Sequence, residues 1–189
     1  MEQLKQVMQS MIDISNDEFD RFYGTCQLET YNRNEIVSFP QTIPNEIYFI
    51  KKGLIRVFVI DDKGDQHTIH FAMENQFIAD YSNYILQKPG VYTLQAIENA
   101  ELISIPRSAI EWGYAHLKDG NKMGRLIAEY YFIYQDDRIN SRYIKTPKER
   151  YLLLDSIFPN IHQRVPQHMI ASYLGITPIH LSRLKSLKY

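Results

Sequence analysis

Between residues 28 and 105 the hydrophobic pattern of this chain has a short period, and that stretch limits the fold more than any other feature. Apolar and β-branched runs at 35–39, 46–50, 54–60, 67–73 and 92–105, the last with Asn99 in a turn, read as strands. Turn formers separate them: Pro40, Pro44-Asn45, Gly53, Asp61-Asp62-Lys63-Gly64 and Lys88-Pro89-Gly90. Asp62-Lys63-Gly64 should close a hairpin. Strands recurring at roughly ten-residue spacing predict an antiparallel β-roll of jelly-roll type.

On either side the period lengthens to that of a helix. Leu4, Val7, Met8, Met11 and Ile12 form one stripe, and Ser15 with Glu18 makes a capping box for a second short helix. Residues 106–118 read as a short helix broken at Gly120, and 121–144 as a long one. Met123, Leu126, Ile127, Tyr130, Tyr131, Ile133, Tyr134 and Ile144 make that long helix apolar on more than one face. Burial within one domain accounts for this, and so does pairing with a second copy. Thr146-Pro147-Lys148-Glu149 restarts the chain with an N-cap, a proline at N1 and a Glu at N3. A boundary is therefore placed near residue 145, followed by a helix at 151–158 that stops at Pro159 and a loop.

Residues 164–189 (RVPQHMIASYLGITPIHLSRLKSLKY) predict two short helices and a tight turn. Ile170, Ala171 and Leu174 share one face, and Gly175 suits the left-handed position that ends a helix. Thr177-Pro178 starts the next helix, with Leu181, Leu184 and then Leu187 or Lys188 at helical spacing. Ile179, His180, Ser182, Arg183 and Lys185 are left facing outward. The pattern is that of a helix-turn-helix, in which the second helix enters a DNA major groove. An ordinary helical hairpin is the plainer alternative.

Charge is divided along the chain. From Thr146 onward six Lys or Arg stand against two acidic residues, so that segment carries +4 and the remainder −5 within a net −1. A basic end on an acidic body fits one nucleic-acid face beside a domain with another task. The single cysteine, Cys26, rules out an internal disulfide and a cysteine-held cluster within one chain. No signal-peptide core or membrane-length apolar run is visible, and a cytoplasmic protein is expected.

Enzymatic readings find little support. His67 and His70 lie three apart on a strand, hence on opposite faces, whereas a shared metal asks for i, i+2 spacing. No nucleophile elbow and no phosphate-cradling glycine loop occurs. The expectation is no catalytic residue, no metal and no cofactor.

The order of these elements resembles the Crp/Fnr family of bacterial transcription regulators. The resemblance is carried by YFIKKGLIRVF (48–58) with its Gly53 turn, NQFIADY (75–81), TLQAIENAELISIPRSAIE (93–111) and IASYLGITPIHLSRL (170–184). It implies an α+β chain in three parts: N-terminal helices and a cyclic-nucleotide-binding-like β-roll sensor at 1–120, a long dimerisation helix at 121–145, and an all-α helix-turn-helix domain at 146–189. Tyr189 follows that last helix directly, so a full wing is not expected. Implied partners are double-stranded DNA at a pseudo-palindromic site, a second copy of the chain, RNA polymerase and a small-molecule effector, with no membrane.

Departures from the family pattern bear on chemistry. Members that bind cyclic AMP carry Gly-Glu after the Phe-Ile of the pocket; Ala79-Asp80 stand here. The position of their phosphate-binding Arg falls near Gly90, with Lys88 the nearest cation, so the bidentate phosphate anchor is missing. The expected effector pocket comprises Ala79, Asp80, Tyr81, Gly90, Tyr92, Tyr130 and Tyr134, and cyclic AMP is not expected in it. Family oxygen sensors need several cysteines, which this chain lacks. In the reading helix, an Arg and a Glu of the best-known member fall on Pro178 and Ile179, while Arg183 matches its counterpart. Arg183 would address a guanine edge and Ile179 a thymine methyl. Gln167, Thr177, His180, Lys185 and Lys188 would hold phosphates, with Ser182 completing the DNA-binding set. Alternatives are a sensing roll whose helical tail binds protein, and a cupin-like metalloenzyme.

Overall fold

The structure, a computed structural model, describes residues 1–186; the expectations for Leu187 and Lys188 lie outside that range. Two helices, α1 (Glu2–Met11) and α2 (Asn16–Tyr23), precede the strands. The expected capping box forms on α2, with the Ser15 side chain accepting from the Glu18 N–H and Glu18 accepting from the Ser15 N–H. The strands are β1 (Gln27–Tyr31), β2 (Ile36–Ser38), β3 (Glu46–Lys52), β4 (Ile55–Ile60), β5 (Gln66–Ala72), β6 (Phe77–Ile78), β7 (Thr93–Ala96) and β8 (Ala100–Pro106), with α3 (Tyr81–Leu86) between β6 and β7. They make two antiparallel four-stranded sheets, ordered β1-β8-β3-β6 and β2-β7-β4-β5.

Side-chain alternation tells each strand what it serves. β3 sends Tyr48 and Ile50 into the core between the sheets, where they meet Ile55, Val57, Ala72, Leu94, Ala96 and Leu102. It sends Phe49 to the other face, onto Leu4, Met8, Phe19, Phe22, Ile103 and Ile105. Strands buried on both faces read as continuous apolar runs, which is why these were easy to recognise. Gly53, at φ 101°, turns β3 into β4, and a Cβ there would stand 2.8 Å from the Ala100 Cβ. Only glycine fits that turn.

Three elements lie outside the sequence pattern. β1 is an edge strand beside β8 with Leu28 half exposed, so its apolar signal is weak. β6 has two residues, and α3 has no side-chain cap to announce it.

After the roll come α4 (Arg107–His116) and the long α5 (Gly120–Ile144). Met123 of α5 is buried against the roll, while Tyr130, Phe132, Ile133, Ile139, Tyr143 and Ile144 are exposed, Tyr143 at 87% and Ile144 at 78%. The region expected to be one helix and a loop is instead α6 (Pro147–Leu152), α7 (Leu154–Ile157) and α8 (Ile161–Arg164). Thr146 and Glu149 do form the second capping box. The chain then enters α9 (Gln167–Leu174) and α10 (Pro178–Ser186). Among the described residues no helix is long and apolar enough to cross a membrane.

Candidate functional site

Local chemistry builds the α9–α10 pair. Gly175 sits at φ 68°, and the N–H groups of Gly175 and Ile176 reach the carbonyls of Ser172 and Ala171 at 3.0 Å each, closing α9. The Thr177 hydroxyl accepts from the His180 N–H at 3.2 Å and so starts α10. Leu181 and Leu184 are buried with Ile170, Ala171 and Leu174. Thr177, Pro178, Ile179, His180, Ser182, Arg183 and Lys185 remain exposed, Ile179 at 68%. Gln167, Pro178, Ser182 and Lys185 line a shallow cleft with Leu181 and Ser186. Gln167 is half-buried, and its Oε1 has no partner among the described residues.

The body of this helix pair is docked on the roll, which the sequence patterns did not reveal. The Ser172 hydroxyl accepts from the Thr68 N–H at 2.8 Å and donates to the Gln66 carbonyl at 3.3 Å. Phe71, Phe158 and Tyr173 pack ring against ring. Arg164 donates two hydrogen bonds to Glu74, at 3.0 and 2.7 Å, and others to Glu98. Partial burial raises the Glu74 carboxyl pKa, but hydrogen bonds from Arg164 and the Gly53 N–H outweigh this and leave it below the usual value. The Arg150 guanidinium donates to the carbonyls of Lys145 and Leu174, tying the end of α5 to the end of α9.

A second feature is a cavity of about 380 Å³ between the roll, α4 and α5. Its wall includes Ile47, Val57, Ile69, Phe77, Ile78, Ile110, Met123, Ile127 and Ala128, and no Lys, Arg, Asp or Glu lines it. Of the residues named from sequence, Ala79, Tyr81 and Tyr92 line this cavity. Asp80 is buried beside it, where its Oδ2 accepts from the Val91 N–H at 3.0 Å and the Tyr92 N–H at 3.3 Å. Gly90 lies against that carboxyl group, a Cβ there falling 2.8 Å from Oδ2. Tyr130 is exposed on α5. Tyr134 stands outside the lining and bridges two parts of the molecule: its hydroxyl meets His70 Nδ1 at 2.8 Å and the Tyr173 hydroxyl at 3.0 Å.

His70 lines the cavity and is almost wholly buried. Burial lowers its imidazole pKa to about 3, with the positive charge of Arg138 adding to the effect, so the ring is neutral. His67 is exposed and pairs with Asp61 at 2.8 Å. The two histidines are thus committed separately, and among the described residues no cluster of three His, Cys, Asp or Glu could hold a metal.

Comparison with known proteins bears on the central segment first. Residues 28–115 match the cyclic nucleotide-binding domain. No curated protein matches the chain by sequence. Over most of the chain the fold matches that of solved Crp/Fnr regulators. FixK2 from Bradyrhizobium japonicum superposes with a TM-score of 0.73 at 16% identity, covering 86% of this chain and 83% of that one. The c-di-GMP responsive regulator CLP from Xanthomonas campestris gives 0.71 at 15% identity, covering 90% of each chain. The catabolite activator protein of Thermus thermophilus gives 0.57 at 14%, covering 92% of this chain and 83% of that one.

Proposed function

We propose that this chain is a sequence-specific DNA-binding transcription regulator of the Crp/Fnr type that works as a homodimer. The observation that carries the reading is α10, held by Leu181 and Leu184 and exposing Ile179 and Arg183, in a chain whose long helix α5 leaves an apolar side uncovered. That side of α5, from Tyr130 to Ile144, is the surface on which a second copy would pair. Two reading helices would then enter successive major grooves about 34 Å apart. Arg183 addresses a guanine edge and Ile179 a thymine methyl; Gln167, Thr177, His180 and Lys185 hold phosphates, and Pro178 and Ser182 fill the face between them. The roll serves as effector domain, acting by different affinities for two arrangements of the helices.

The test is a gel shift of the purified protein on fragments of its own promoter region at two salt concentrations, with its mass in solution measured alongside. A dimer that binds specifically and weakens steeply with salt is expected. A monomer, or a dimer that ignores DNA but captures a protein, would retire the reading.

A further inference from the structure

We infer that the cavity takes an uncharged, mainly hydrocarbon molecule carrying a hydroxyl or carbonyl group, and not a nucleotide or another anion. The inference rests on the roll being an effector domain and deepens it to a ligand class.

Size and lining come first. At about 380 Å³ the cavity falls in the range that buries a small organic ligand, and its wall is chiefly aliphatic and aromatic. A phosphate needs guanidinium or ammonium groups, or free backbone N–H groups, to replace its water. The wall offers no cation. The N–H groups of Val91 and Tyr92 would be the backbone donors for an anion, but the carboxyl group of Asp80 already accepts from both. Gly90, with Asp80 against it, leaves no room there for a side chain, cationic or otherwise. An anion would therefore enter a largely apolar space with no cation on its wall.

Of the polar side chains on the wall, which include Tyr81, Ser82, Tyr92, Tyr114 and Gln135, His70 is the one bonded to the rest of the molecule through Tyr134. The Tyr131 hydroxyl donates to the Phe77 carbonyl, and His70 Nδ1 is taken by Tyr134. His70 Nε2 takes no hydrogen-bond partner among the described residues. A neutral imidazole with one nitrogen engaged offers the other as a single donor or acceptor, which matches one hydroxyl or carbonyl on an otherwise apolar ligand. Because His70 is joined through Tyr134 to Tyr173 of α9, a ligand bonded there touches the chain of contacts that holds the DNA-reading helices.

The experiment titrates the full chain with the neutral fluorophore N-phenyl-1-naphthylamine and displaces it with 1-dodecanol, dodecanoate at pH 8, or cyclic AMP. Expected are one saturable site per protomer, displacement by dodecanol at least ten-fold more effective than by dodecanoate, and none by cyclic AMP. Ala79→Phe and Ala128→Phe, which fill the cavity from opposite walls, should each weaken probe binding at least ten-fold. Absence of saturable binding, unchanged binding in a folded filled variant, or displacement by cyclic AMP would overturn the inference. If neither variant folds, the dodecanol-to-dodecanoate ratio on the unsubstituted protein decides it. The gel shift run on the same preparations separates the two readings: DNA binding without probe binding sinks this one alone, and probe binding without DNA binding sinks the regulator.

Discussion

Tyr134 of α5 and Tyr173 of α9 meet hydroxyl to hydroxyl at 3.0 Å, and Tyr134 also reaches His70 of β5 at 2.8 Å. Three elements far apart in sequence thus share one short chain of hydrogen bonds. Tyr134→Phe leaves His70 Nδ1 and the Tyr173 hydroxyl without this partner, at an expected cost of about 1–3 kcal/mol in urea unfolding. Tyr173→Phe should cost less than the sum predicts when combined with it, because the two report one network. Additive losses would show the hydroxyls to be independent.

Acid should loosen this network through His70. Its folded pKa of about 3 lies below the ordinary 6.5, so the unfolded chain takes up a proton first as pH falls. Its contribution is therefore complete above pH 6.5 and drains away toward pH 3, at up to about 1.4 kcal/mol per unit. Melts of the unsubstituted protein and His70→Gln at pH 7.5, 6.5 and 5.5 should differ in slope by that component. Parallel slopes would contradict a buried neutral ring.

Arg164 latches the helical end of the chain to the roll through Glu74 and Glu98. Side chains that are a fifth to a third exposed keep much of their water, so Arg164→Ala should cost about 1–2 kcal/mol. The depressed Glu74 pKa makes the latch complete above the usual carboxylate value of 4.5 and lost as pH falls below it. Amide exchange should accelerate in α8 and α9 of the variant while the core of β3 and β8 stays protected.

Exposed apolar residues on α5 predict the oligomeric state. Ile133→Lys with Tyr143→Lys should shift sedimentation from dimer toward monomer without lowering helix content, since both side chains are exposed in the single chain. An unchanged dimer would place the contact elsewhere.

Arg183→Ala tests base reading. The expected loss is about 1–3 kcal/mol at one base position per half-site, with the other positions keeping their preference. A uniform loss across all sequences would make Arg183 a phosphate contact instead.

Much of this protein was legible before any coordinates. Alternation and turn residues gave six of the strands, Gly53 gave a turn, and Gly175 with Thr177-Pro178 gave α9 and α10, because each signal lies within a few residues of the hydrogen bonds it specifies. Even the outward face of α10 followed from period alone. Chain path decided the rest. Arg164 and Glu74 are 90 residues apart, Ser172 and Thr68 are 104 apart, and Tyr134 and His70 are 64 apart, so no local pattern links them. The same holds for Tyr134, an aromatic named for the pocket that serves as a bridge, and for Asp80, which beyond its local partner Asn83 accepts from the Val91 and Tyr92 N–H groups on the far side of α3. Periodicity says which face of an element is apolar. What that face meets depends on how the whole chain closes around it.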